Sequence, residues 1–144
     1  MWSRFMLLAI GLSCAVCVEA AEAFPEAPKS TNDAEALGLP RVDARMLAKT
    51  YGGVREAQNL KGEVTRQDLR PDGTLSYTND AGVSGTGTWS VVDENGGMIC
   101  RTFDFQGGRR FCTIYYAAAD GVHLFGYNAQ DKLWRITTRR ANPR

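Results

Sequence analysis

The chain has 144 residues, with 17 Lys and Arg against 16 Asp and Glu and a formal net charge of +1. That balance argues against nucleic acid as a principal partner, which calls for a concentrated basic surface, and the length is that of a single domain. One histidine and four cysteines are a poor ligand supply for a zinc site, and nothing in the chain calls for a cofactor.

In chain order, Met1-Trp2-Ser3-Arg4 is a short, singly positive start, and Phe5 to Val18 form an apolar run broken only by Gly11 and Ser13. Ala21-Glu22-Ala23 then offers the small-x-small pattern of a signal-peptidase site, with Val18-Glu19-Ala20 nearly as good. This order predicts a cleavable secretory signal over residues 1–23 and a periplasmic or secreted protein. The apolar run is shorter than the roughly 20 residues of a spanning helix, so no integral membrane segment is expected. Cys14-Ala15-Val16-Cys17 falls inside the apolar stretch, where cysteine acts as a small hydrophobe. Gly11 and Val16 depart from a lipoprotein pattern at both cysteines.

Residues 24–39 are rich in Pro, Ala and Glu without apolar periodicity and are expected to be a flexible leader. A β-rich domain over 40–144, with a short helix at its start and a short basic tail, is expected to follow. The helix is predicted over 40–51, from Pro40 at an early helical position to a stop at Gly52-Gly53. Thereafter turn signals such as Pro71-Asp72-Gly73, Asn95-Gly96-Gly97 and Asp120-Gly121 separate short runs rich in Thr, Val, Ile and aromatics. Strands are predicted at 60–69, 74–79, 84–92, 97–104, 110–118, 122–127 and 132–139. The class is mainly β, an antiparallel meander closing into a small barrel or sandwich.

Cys100 and Cys112 remain once the signal is removed, and an even pair in an oxidising compartment predicts a disulfide. Setting them opposite one another places Phe103 against Arg109 and leaves 104–108 as a hairpin connection, so the bond pins strand register. Trp89 with Val91, and Trp134 with Ile136, alternate as core-facing positions should.

The helix end Leu47-Ala48-Lys49-Thr50-Tyr51-Gly52-Gly53 is followed by Gly85-Thr86-Gly87-Thr88-Trp89-Ser90-Val91 and then Glu94-Asn95-Gly96-Gly97 before Cys100. Cys112-Thr113-Ile114-Tyr115-Tyr116 and Trp134 complete the series. Over about residues 42–138 this resembles a family of small exported bacterial proteins, domain of unknown function 995. The resemblance implies a periplasmic location and a β fold and transfers no functional residue.

No catalytic constellation stands out. His123, alternating with Val122 and Leu124, is expected at a surface or strand edge, and Ser84-Gly85-Thr86-Gly87 lacks the lysine and following helix of a phosphate loop, so its glycines are expected in a turn. Asp68, Asp72, Asp80, Asp93, Glu94, Asp104 and Asp120 fall mostly at turns. The leading expectation is a non-enzymatic, monomeric envelope protein that binds a protein partner, a cell-wall glycan or a small ligand. A small-barrel enzyme inhibitor is the alternative, docking through the 104–110 loop with Phe105, Arg109 and Arg110. A hydrolase with paired carboxylates comes third. If a ligand is bound, Trp89, Trp134 and Tyr127 are the candidate pocket aromatics.

Overall fold

The computed structural model describes residues 23–130 and 134–142. The expected signal, with Cys14 and Cys17, lies outside the described residues apart from Ala23, as does Arg144 of the basic tail.

Helices α1 (Thr31–Ala36) and α2 (Ala44–Thr50) precede strands β1 (Gly53–Asn59), β2 (Val64–Leu69), β3 (Thr74–Asn79), β4 (Ser84–Val92), β5 (Met98–Phe103), β6 (Phe111–Ala117), β7 (Leu124–Asn128) and β8 (Arg135–Arg140). Each strand pairs antiparallel with the next, and β1 pairs with β8, so the meander closes into an eight-stranded barrel. The expected class is therefore the observed one. Closure removes both sheet edges, and a barrel of this strand number leaves room inside for side chains or for one small ligand.

Asp43 caps α2 through its carboxylate, which accepts the Met46 amide hydrogen at 2.8 Å. The helix is thus shorter than predicted. Pro40 lies outside it because the preceding chain runs extended along β6: Ala117 N–H donates to Pro40 O and Val42 N–H to Tyr115 O, both at 2.9 Å. Leu47 and Tyr51 enter the barrel end and pack with Leu69, Leu75, Ile99 and Tyr115. The β4–β5 turn meets the helix start so closely that a Cβ at Gly97 would fall 2.2 Å from the Ala44 nitrogen, at a φ of +110°. Only glycine fits there. One barrel end is therefore stoppered by α2, and the other opens between the β1–β2, β3–β4 and β5–β6 connections.

Further expectations need correction. β1 was not among the predicted strands, because its inward residues Arg55, Ala57 and Asn59 do not read as an apolar alternation. The 24–39 segment is a strap rather than a flexible leader: it holds α1, and Ala27 and Ala34 are buried against Tyr116, Phe125 and Tyr127. Tyr127 Oη donates to Pro28 O at 2.8 Å and Thr137 Oγ1 to Pro25 O at 2.8 Å, which ties the strap to the outer wall. Finally, Ser84-Gly85-Thr86-Gly87 follows the strand predicted at 84–92 rather than the turn its glycines suggest: it is the start of β4, with both glycines on the inward face.

The disulfide joins Cys100 to Cys112, which oppose one another across β5 and β6. It sits on the outer face with Met98, Val92 and Ile114. Pairing stops at Arg101 opposite Phe111, so the connection is longer than predicted and Phe103 does not meet Arg109. Phe103 instead opposes Gly87 on β4. Among the described residues no helix is long and apolar enough to cross a membrane.

Candidate functional site

Inside the barrel, between the α2 stopper and the open end, lies a cavity of about 420 Å³. This is within the roughly 300–1,000 Å³ of small-molecule sites. Ala57, Phe103, Phe111, Trp134 and Ile136 supply its apolar wall, while Asn59, Thr65, Gln67 and Asn79 add neutral polar groups. No acidic side chain lines it among the described residues.

The inner end carries Arg101, which is 2 % exposed. Residues 99, 101 and 103 alternate to one face of β5, so the pleat that turns Ile99 and Phe103 inward also turns this arginine inward. Its Nη2 donates to the hydroxyls of Tyr51 and Tyr115, and the two hydroxyls are hydrogen-bonded to each other at 2.7 Å. Nη1 reaches Thr113 Oγ1 at 3.5 Å, and Nε is buried with no partner. A second buried arginine, Arg55, lies 4.5 Å over the Tyr51 ring, with Arg101 5.2 Å from the same ring. Burial lowers the Arg55 pKa. At Arg101 burial opposes the charge, but the Tyr115 and Tyr51 oxygens outweigh it and shift the pKa upward. Burial also raises the Tyr115 hydroxyl, against the pull of Arg101, so it stays a protonated donor.

An aromatic collar rings the mouth. Phe105 stacks on Phe103 at 5.4 Å and meets Tyr77 edge-on at 5.5 Å. Phe103 stacks on Phe111 at 5.4 Å, and Phe111 meets Trp134 at 5.9 Å. The collar is fastened by Asp104, whose carboxylate accepts from Tyr77 Oη at 2.9 Å, Thr86 N–H at 3.2 Å and Phe105 N–H at 2.8 Å. Those donors, the Thr86 amide foremost, hold the Asp104 pKa below its usual value. Burial and the facing carboxylate hold the Tyr77 hydroxyl above its own.

No known family, characterised protein or solved structure matches the chain. The site must therefore be read from its own residues.

Of the three proposed pocket aromatics, the cavity takes Trp134 alone. Trp89 faces inward at the stoppered end, where its ring lies against Gly52 and its Nε1 donates to Arg70 O at 2.8 Å. Tyr127 faces outward under the strap, because Tyr127 opposes Ile114 across β6 and β7 while the inward position beside it is Gly126. Phe105, 65 % exposed, is part of the rim. Arg109 and Arg110 are exposed and border a shallower hollow of about 390 Å³ beside the mouth, sharing Gln106, Phe111 and Trp134 with the main cavity.

His123, expected at the surface, is 2 % exposed. Its Nδ1 lies 2.5 Å from Asp120 Oδ2, and the Phe24 ring of the strap packs edge-on against it at 5.7 Å. Sequence reasoning missed Arg101, Arg55 and Tyr51 as site residues. A signal existed for Arg101: a charged residue on the same alternating face as Ile99 and Phe103 is misplaced unless the interior uses it.

Proposed function

We propose that this protein is an exported, non-enzymatic barrel that takes a small, largely apolar molecule into its axial cavity. The observation that carries the reading is the cavity itself: about 420 Å³, closed below by α2 and open above through an aromatic collar. A barrel packed for stability alone would fill that volume with side chains, since empty space forfeits dispersion contacts. Under this reading the 104–110 segment is the rim of the cavity rather than a docking finger. Export rests on residues 1–23, whose singly positive start, apolar run and small-x-small site have the order of a secretory signal. Intact-mass measurement of the expressed protein checks it, through loss of the first 23 residues.

The test of binding is a titration with the neutral fluorophore N-phenylnaphthylamine. The wild-type chain is expected to bind one molecule saturably. Ala57→Phe, which places a ring inside the cavity, should abolish that binding while leaving the far-ultraviolet circular dichroism unchanged. Saturable binding that survives Ala57→Phe would move the site to the outer surface and end the proposal. So would the absence of saturable binding to the wild type.

A further inference from the structure

We infer that the occupant of the cavity is an amphipathic carboxylate, its hydrocarbon body against the collar and its anionic head received at Arg101. The inference rests on the cavity reading and adds the charge of the ligand to it.

The first argument is a count of donors and acceptors. Arg101 and the hydroxyls of Tyr51 and Tyr115 form one buried cluster, in which the only accepting atoms are the two phenol oxygens and Thr113 Oγ1. One phenol hydrogen is used between the two hydroxyls, and the other has no acceptor within the cluster. Arg101 Nε is likewise without one. A guanidinium has donors and no acceptor, so the cluster is short of acceptors. Buried donors left unpaired are costly, and an entering acceptor relieves that cost.

The second argument is charge. Arg101 and Arg55 are both buried, at 2 % and 5 % exposure, against one tyrosine ring. The nearby carboxylates are spent elsewhere. Glu56 projects from the outer face to Arg66 and Arg139, at 3.4 and 3.2 Å. Asp68 is outside with Arg70 at 3.6 Å. Asp104 is held at the rim by Tyr77 and Thr86. A buried cation is ordinarily paired with an anion. Here the described residues supply cation–π contact, phenol oxygens and the Thr113 hydroxyl, and no anion.

The third argument is position. Arg101 lines the inner end of the cavity, whereas Phe103, Phe111 and Trp134 lie toward the mouth. An occupant therefore meets apolar walls along its length and a charge at its tip. Arg55 does not line the cavity, so among the described residues Arg101 is the one cation that faces the ligand. That matches a monoanion with a planar head, for which arginine is the fitting partner.

Calorimetric titration of the full chain with decanoate, decanol and decylamine tests this, because the three share a hydrocarbon body and differ in head group. Decanoate is expected to bind about 10- to 100-fold more tightly than decanol, and decylamine more weakly than either. Arg101→Gln should bring decanoate to the level of decanol and leave decanol unchanged. If that variant does not fold, the wild-type ranking alone decides. Decanol binding as tightly as decanoate would overturn the inference. Failure of decanoate to bind while N-phenylnaphthylamine still does would overturn it too, with the cavity reading intact. Only the loss of the neutral probe as well would bring both down.

Discussion

Gly85 offers a direct test of how the cavity mouth is held. Its inward position on β4 faces Tyr77 on β3, and the Asp104 carboxylate fills the space that a side chain would take. A Cβ built there would lie 2.4 Å from Tyr77 Oη and 2.7 Å from both Asp104 carboxylate oxygens, where a relaxed contact sits at about 3.5 Å. Gly85→Ala must therefore displace the phenol, the carboxylate or both, breaking the Tyr77–Asp104 and Thr86–Asp104 hydrogen bonds. Overpacking of this kind costs about 1–3 kcal/mol. Replacing a strand glycine by alanine returns roughly 0.5–1 kcal/mol of backbone entropy, leaving a net loss of about 1 kcal/mol from the middle of the two ranges. Urea denaturation measures that loss. A second readout is specific to the mechanism: the Tyr77 hydroxyl, raised in the native protein by burial and by Asp104, should titrate closer to an ordinary phenol. With Asp104 released, the 104–110 rim loosens and the neutral probe should leave the cavity faster. A variant as stable as the wild type, with Tyr77 titrating as before, would refute the account of the collar.

The Cys100–Cys112 bond closes a short loop, with a sequence separation of 12, so Cys100→Ser with Cys112→Ser should cost about 3 kcal/mol. Urea midpoints of the oxidised, reduced and doubly substituted proteins check this, and equal midpoints would exclude a stabilising bond. Asp120 gives a pH signature: burial opposes its charge, but the amides of His123 and Val122 and the His123 ring outweigh burial and bring its pKa from 3.8 to about 2. Its native pKa is depressed, so its contribution is full above the ordinary carboxylate range and is lost as pH falls through about 2. With 42 % of the side chain exposed, solvent screening reduces that contribution to about 1 kcal/mol. Asp120→Asn should therefore destabilise the protein at pH 7 by about that much, with the gap closing in acid. A gap that is constant with pH would assign the effect to packing.

The difference between what was legible in the sequence and what was not follows from how each element is specified. β3 and β4 sit where predicted because turn residues mark both ends and because Leu75 with Tyr77, and Trp89 with Val91, alternate inward. The cysteine pairing was legible because opposition of residues 100 and 112 fixes register, and register fixes faces. β1 shows no apolar alternation because the interior has work for polar side chains: Arg55 and Asn59 face inward where a packed core would place apolar residues. The same departure hid the site. An alternation of apolar inside and polar outside places aromatics such as Tyr127 within the barrel and gives no place to an inward arginine. Tyr127 then proved to clamp the strap outside, and Arg101 proved to lie within. The strap itself carries no periodic signal, since its anchors are alanines small enough to lie under Tyr116 and Tyr127 and carbonyls that accept from Tyr127 and Thr137. Positions where a stability rule is broken without a compensating contact are where function is most economically sought. In this barrel the rule is broken at Arg101, a buried cation to which the described residues offer phenols and no anion.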